Sequence, residues 1–246
     1  MWPFTKRYSL LDSEVFEGFT DYHSHLLHGV DDGACTLDDS LELLAVYEFL
    51  KIRTVCLTPH VAEDTPNTTE SLRERFRQLK DAYTGTIDLR LSAEYMLDNL
   101  FEERLAADDL LPLGDGGNHL LVETSYFRPP QGMYERLERI LSKGYHPVLA
   151  HPERYFYMTG KEYRRLKEMQ VKFQMNVTSL SGNYGPEVRE KARMLLCGGM
   201  IDLLGSDTHD LQRFLGAIVR KSLKAKETYN SAYSLRALKQ GQAFRI

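Results

Sequence analysis

Cysteine is scarce. The chain of 246 residues has three, Cys35, Cys56 and Cys197, widely separated and without a CxxC pair. An odd, sparse set excludes a disulfide framework and fits a reducing, cytoplasmic setting. Long apolar runs are missing too. Neither the opening MWPFTKRYSLLDSEVFEGF nor any later segment has the length of a signal-peptide core or a membrane span, so no membrane insertion is expected. Positive charge is not in excess. The 31 basic residues face 35 acidic ones, a formal charge of -4, which leaves no basic field to hold a nucleic-acid backbone by counterion release. No internal repeat, low-complexity tract or linker divides the chain. With 42% hydrophobic residues it can bury one sizeable core, and single α/β barrels fall in this size range.

What the chain does have is an alternation of short apolar, β-branched runs with longer segments of helical spacing, the pattern of a parallel sheet. Seven runs read as strands: Phe19–His25, Ile52–His60, Ile87–Glu94, His119–Thr124, His146–His151, Lys172–Val177 and Ile201–Asp207. Between them, Leu72, Phe76, Leu79 and Tyr83 form one apolar helical stripe. Asp39 and Ser40 stand as cap candidates ahead of LELLAVYEFL, and Gly144 follows the helical run Met133 to Lys143 as a stop. Residues 1–18 precede the first strand and read as an N-terminal extension, leaving 19–246 as a single α/β barrel domain. No surface stripe indicates an oligomeric interface.

The chemistry gathers at strand ends. The first strand runs into DYHSHLLHGVDDG, where alternation puts His23 and His25 on one face and the DDG turn adds Asp31 and Asp32. The other strands finish alike: LTPH gives His60, LSAE gives Glu94, LLVET gives Glu123, VLAHPER gives His151, and LLGSDTH gives Asp207 and His209. Only the sixth, ending near Asn176, lacks such a residue. Singly, each of these fits a hydrogen-bonded loop residue or a helix-cap partner. In a β/α barrel, however, the C-terminal strand ends converge on one site, so residues far apart in sequence meet there. Imidazole and carboxylate without thiolate suits borderline divalent ions such as Mn, Fe or Zn, and a carboxylate such as Glu94 can bridge two of them. A cluster of such ions lowers the pKa of a bound water and clamps attacking and leaving oxygens. His28, His119 and His146 fall off the pattern and read as structural.

HSH with VDDG, then AHPERY, then SDTH, in that order, resembles the PHP (polymerase and histidinol phosphatase) superfamily. Within it, the chain is similar to the bacterial manganese-dependent protein-tyrosine phosphatases of capsular polysaccharide operons, from Asp21 nearly to the C-terminus. The resemblance implies a distorted (β/α)7 TIM-like barrel, the PHP fold, and three divalent ions, Mn2+ by preference. His23, His25, Glu94 and Asp207 would hold one ion; Glu94, Glu123 and His151 a second; Asp32, His60 and His209 a third. Asp31 and Asp32 are interchangeable at this point. Arg154 of HPERY matches the family's phosphoryl-binding arginine, and Arg213 of THDLQRF matches a second in a stretch one residue shorter than the family pattern.

These parts together imply phosphotyrosine hydrolysis by in-line attack of an activated water. Arg154 would stabilise the equatorial oxygens, and His209 or Asp210 would assist the leaving group. Four carboxylates against three divalent ions leave a positive surplus that suits a phosphoryl dianion better than a neutral amide. A cysteine nucleophile is excluded, because no cysteine has an arginine six residues later. The implied partner is a phosphotyrosine protein, a bacterial tyrosine kinase controlling capsule or exopolysaccharide synthesis. The loop after His60, VAEDTPNT, carries Glu63 and Asp64 and predicts an acidic rim that repels acidic peptides. Two other readings stand beside this one: a small-molecule phosphatase of the histidinol-phosphatase type, and a catalytically inactive metal-binding regulatory module.

Overall fold

Runs such as TVCL and HLLVE have too few polar positions for a solvated face, so they are buried on both sides, as strands of a parallel barrel are. The computed structural model describes residues 7–114 and 116–224. In chain order its elements are β1 (Arg7–Tyr8), β2 (Thr20–Ser24), α1 (Leu37–Phe49), β3 (Thr54–Leu57), β4 (His60–Val61), α2 (Thr69–Ala82), β5 (Asp88–Leu91), β6 (Glu94–Met96) and α3 (Asn99–Ala107). Then follow β7 (His119–Glu123), α4 (Met133–Ser142), β8 (His146–Ala150), α5 (Gly160–Glu168), β9 (Lys172–Asn176), α6 (Pro186–Cys197), β10 (Leu203–Gly205), α7 (Leu211–Val219) and β11 (Leu223–Lys224).

Two parallel sheets, β2-β3-β5 and β10-β9-β8-β7-β6-β4, make up the wall. They join where Asp207 N–H donates to His23 O at 2.8 Å and His25 N–H to Thr208 O at 2.9 Å. The result is the distorted seven-stranded barrel. Two of the predicted strands, Ile52–His60 and Ile87–Glu94, are each broken, into β3/β4 and β5/β6. At the first break Pro59 has no N–H for a ladder, so pairing stops after Thr58 N–H has reached Ser24 O (2.8 Å). At the second, Ser92 N–H turns to Leu57 O (2.8 Å) while Ala93 N–H reaches Leu111 O (3.2 Å). The remaining predicted runs overshoot the strands by a residue or more, because the chain turns where the polar ends begin. His151 (φ 33°) and Asp207 (φ 54°) both lie in the left-handed region just past their strands, a strained conformation for non-glycine residues.

Alternate strand positions face two cores. Leu120, Val122, Leu149, Phe173, Met175 and Leu204 face the helices and pack with Leu137, Ile140, Leu166 and Leu195. Tyr22, Cys56, Leu113, Leu121, Val148, Ala150 and Leu203 form a separate cluster. Leu121 shares the face of Glu123 by alternation, so this cluster fills the barrel beneath the polar end. The α2 stripe holds, with Leu72 and Leu79 buried and Phe76 and Tyr83 packed against the core. The cap of α1 lies earlier than Asp39 or Ser40. Thr36 is the cap and Asp39 its capping-box partner, while Ser40 is buried and donates to Leu26 O at 2.6 Å.

Of the N-terminal extension, residues 1–6 lie outside the described residues. The rest is bound to the barrel. β1 pairs antiparallel with β11, and Leu10, Val15 and Phe16 are buried, Phe16 against Phe19 and Phe214. Each such burial contributes about 1.5–3 kcal/mol, so this stretch straps the outside of the barrel.

Candidate metal centre

At the end of β2, His23 and His25 turn inward, each fixed by its Nδ1. His23 Nδ1 lies 2.7 Å from Gln174 Oε1, and His25 Nδ1 2.8 Å from Asp31 Oδ2. Both partners accept, so Nδ1 carries the proton and Nε2 keeps its lone pair for the centre. The Gln174 orientation is itself set, since its Nε2 donates to Asn176 Oδ1 and Asn176 Nδ2 donates to Asp207 Oδ2. The backbone presses close behind. A Cβ on Gly33 would come within 2.6 Å of His25 Cβ, and one on Gly205 within 2.5 Å of His23 Cβ, so only glycine lets these segments pass.

The two Nε2 atoms are 3.0 Å apart. Glu94 Oε2 lies 3.1 Å from His23 Nε2, 3.4 Å from His25 Nε2 and 3.1 Å from His60 Nδ1, and Glu94 Oε1 lies 3.1 Å from His151 Nε2. Glu123 reaches His60 Nδ1 at 3.1 Å and His151 Nε2 at 3.8 Å. Asp207 Oδ1 stands 3.5 Å from the Nε2 atoms of His23 and His25 and 3.5 Å from His209 Nδ1. At the mouth, Asp32 Oδ1 lies 3.4 Å from His209 Nε2 and 3.6 Å from His60 Nε2. All nine predicted ligands, His23, His25, Asp32, His60, Glu94, Glu123, His151, Asp207 and His209, thus meet at one end of the barrel. Their donor atoms form four overlapping groups, each within 4.8 Å. Asp31 is drawn elsewhere: its carboxylate accepts from the His25 ring and from the N–H groups of His60 and Gly33. That leaves Asp32 as the one facing the centre.

The donor set fits divalent ions. Fully buried Glu94 Oε2 has three imidazole nitrogens within 3.4 Å yet no aligned hydrogen bond, as lone pairs have when they converge on a shared point instead of on each other. The electrostatics agree. Burial opposes charging of His23, but Glu94 and Asp207 overcome it and raise the imidazole to about 9. His60, against Glu94 and Glu123, is pushed up to about 12 despite its burial. Glu94 and Asp207 are held well below the carboxylate range, their burial outweighed for Glu94 by His23 and His60 and for Asp207 by His23 and Arg154. Surplus anionic oxygen here demands positive charge, which protons supply on the ion-free protein.

Beside the centre, an Arg154 guanidinium nitrogen donates to Asp207 Oδ2 at 2.7 Å. The ring centroids of Tyr126 and Tyr184 lie 4.4 Å from its guanidinium carbon, within reach of cation–π attraction. Tyr184 also donates to Asp207 Oδ2, at 3.3 Å. Both rings and Arg154 line a cleft of about 520 Å3 with Asp32, His60, His209 and, at its edge, Arg213. Arg213 is not drawn in as Arg154 is. Its side chain is 83% exposed and pairs with Asp210, which caps α7.

Several contributors escaped sequence reasoning. Gln174 and Asn176 sit on the inward face of the strand that lacks a ligand, and alternation was the available signal. Glu153, buried, accepts from Asn176 N–H (2.9 Å) and the Ser179 hydroxyl (2.7 Å), locking the HPER turn. Asp21 accepts from Ser206 N–H at 2.8 Å, and the Tyr47 hydroxyl bridges Asp21, Ser206 and Thr208, which ties the first strand to the SDTH loop. The set-aside histidines stay outside the centre: His119 and His146 pair at the strand starts, and His28 is buried elsewhere. On the rim, Glu63 accepts from Asn99 N–H at the start of α3, and Asp64 accepts from the Thr65 hydroxyl, so both carboxylates are anchored locally. Cys56 is buried, while Cys35 and Cys197 are exposed and free. No helix among the described residues is long and apolar enough to cross a membrane.

Residues 19–239 match the family described as capsular polysaccharide synthesis, CpsB/CapC. The tyrosine-protein phosphatase CpsB of Streptococcus pneumoniae is 30% identical over 233 residues, covering 85% of this chain and 94% of that protein. The tyrosine-protein phosphatase YwqE of Bacillus subtilis is 30% identical over 203 residues, 78% of each chain. Among solved structures, a chain from the crystal structures of YwqE and CpsB, described as unique metal-dependent tyrosine phosphatases, superposes with a TM-score of 0.75. It has 26% identity and covers 89% of this chain and 87% of that one.

Proposed function

Because the chain belongs to the capsular polysaccharide synthesis CpsB/CapC family, we propose that it is a metal-dependent protein-tyrosine phosphatase. The observation that carries this reading is the meeting of five imidazoles and four carboxylates at one barrel end, with Arg154 held beside them. We assign three ions, Mn2+ by preference: one to His23, His25, Glu94 and Asp207; one to Glu94, Glu123 and His151; one to Asp32, His60 and His209. Divalent ions there would activate a water and offset phosphoryl charge. The chain's own residues do the rest. Gln174 and Asp31 orient the deep histidines, and the Tyr126 and Tyr184 rings hold the Arg154 fork in place to grip two phosphoryl oxygens. Arg213 stands at the cleft edge as a second, exposed cation. A phenolate needs little acid help to leave, and on this reading none is assigned: His209 is taken as an ion ligand and Asp210 as a helix cap.

The substrate on this reading is a phosphotyrosine protein, a bacterial tyrosine kinase acting in capsule synthesis, met in the cytoplasm. The relatives' names favour this over a histidinol-phosphatase type and over an inactive module. Assay of the metal-loaded protein against a phosphotyrosine peptide, histidinol phosphate and an aryl phosphate decides among them. Hydrolysis of the tyrosyl and aryl esters is expected, lost with chelator and best restored by Mn2+. Full activity in excess chelator after dialysis would sink the metal mechanism.

A further inference from the structure

Phe127 is 71% exposed and Phe156 49%, and their rings stack with centroids 5.6 Å apart and planes inclined by 18°. Large apolar side chains left in water singly are ordinary, but a stacked pair is a preformed patch. The other exposed large hydrophobics among the described residues, Leu11, Phe49, Met194 and Val219, make no such aromatic pair.

The pair's position is specific. Phe127 follows Tyr126 in the loop after β7, and Phe156 lies two residues past Arg154 after β8. Phe156 N–H donates to Tyr126 O at 2.8 Å, so the loops that clamp the guanidinium also fix the two rings. Arg128 is exposed next to Phe127, whereas the Lys191 ammonium of α6, 5.8 Å from the Phe156 ring, donates to Tyr155 O at 2.8 Å and pairs with Glu187 at 3.8 Å. The acidic pair Glu63 and Asp64 stands two strands round the barrel, after β4.

We propose that Phe127 and Phe156 form a docking platform for an aromatic side chain of the substrate polypeptide, a few residues from the phosphotyrosine. The inference rests on the phosphatase reading. With phosphate held at Arg154, an extended chain advances about 3.3–3.6 Å per residue, so a near neighbour in sequence reaches the same pair of loops. An aromatic ring adds to stacked rings by offset or edge contact, and both partners are rigid enough to lose little freedom. Exposed Arg128 matches the negative charge that a phosphorylated segment carries.

The test uses the metal-loaded protein and three substrates: p-nitrophenyl phosphate, a phosphotyrosine peptide flanked by alanines, and the same peptide flanked by tyrosines. The aromatic peptide should be preferred about tenfold in kcat/KM, the scale of one added aromatic contact. Phe127→Ala with Phe156→Ala should erase that preference and leave the small ester unchanged, while Phe127→Tyr with Phe156→Tyr should keep it. Equal rates on the two peptides, or a preference that survives the double alanine change, overturns the platform. Failure to hydrolyse any of the three overturns the phosphatase reading instead. Peptide binding measured by fluorescence anisotropy then judges the platform by the same two criteria.

Discussion

The barrel carries histidines at both ends, and the two ends treat them oppositely. At the C-terminal ends of the strands, five imidazoles stand among four carboxylates, and His23 and His60 are driven to hold protons. At the strand starts, His119 and His146 are register partners on β7 and β8, with centroids 5.2 Å apart and Lys172 Nζ 2.7 Å from His119 Nε2. There burial, Lys172 and His146 push His119 down to about 4. One residue type thus serves an anionic socket at one end and a neutral packing contact at the other. Histidine becomes informative through the carboxylates around it.

The sharpest way to break this contrast is to take the charge out of the socket. Glu94→Ala is predicted to cut turnover by more than about a thousandfold, beyond what one stabilising donor supplies, and to strip at least one ion. Unchanged ion content in elemental analysis would remove Glu94 from the bridging role.

Next in size is Arg154. Arg154→Ala and Arg154→Lys should each lower kcat/KM about a hundredfold on the aryl ester and on peptides alike, with fold and metals kept, because the contact is to phosphate. A loss confined to peptides would move Arg154 to the docking surface.

Gln174→Leu touches neither ion nor substrate. It frees His23 Nδ1 and should weaken metal affinity by about 10–100-fold, as loss of a group that orients a ligand does. Titration calorimetry showing native affinity would mean that Gln174 only packs.

The smallest effect is in pH dependence, and it separates the ends by sign. His23 is raised from 6.5 to about 9, so in the ion-free protein its contribution to stability is present below 6.5 and is lost as pH rises through about 9. His119 is lowered from 6.5 to about 4, so its contribution is present above 6.5 and is lost as pH falls through about 4. Melting curves of ion-free His119→Gln should therefore lose part of the acid limb and keep the alkaline one, with metal content and turnover of the loaded protein unaltered. An altered alkaline limb would show that the ends are not independent.

Much of this was legible beforehand. The strand-end pattern brought nine ligand candidates to one place because a parallel barrel maps sequence-distant strand ends onto one face. The break at Pro59 was written in LTPH but hidden by a continuous apolar run. The break at Ser92–Ala93 carries no breaker at all and comes from competition among carbonyl partners. Asp31 and Asp32 are chemically identical in sequence, and only the path of the DDG turn over His25 tells them apart. Gln174 and Asn176 resemble any buried amides until a histidine is seen resting on one. Phe127 and Phe156 are indistinguishable by type from core residues, because exposure is a property of the fold.

Asp207 divides its two oxygens between different tasks. Oδ1 faces His23, His25 and His209, whereas Oδ2 accepts from Arg154, Asn176 and Tyr184. On the proposed reading, whatever recruits Arg154 to a phosphoryl group alters the field at the carboxylate that would face the ions. Occupancy of one site becomes a variable of the other, and reciprocity requires each ligand to change the other's affinity by the same factor. Phosphate titrations at scarce and at saturating Mn2+, paired with Mn2+ titrations with and without phosphate, would read that factor twice. A factor of one in both titrations would leave Asp207 a mere neighbour of both.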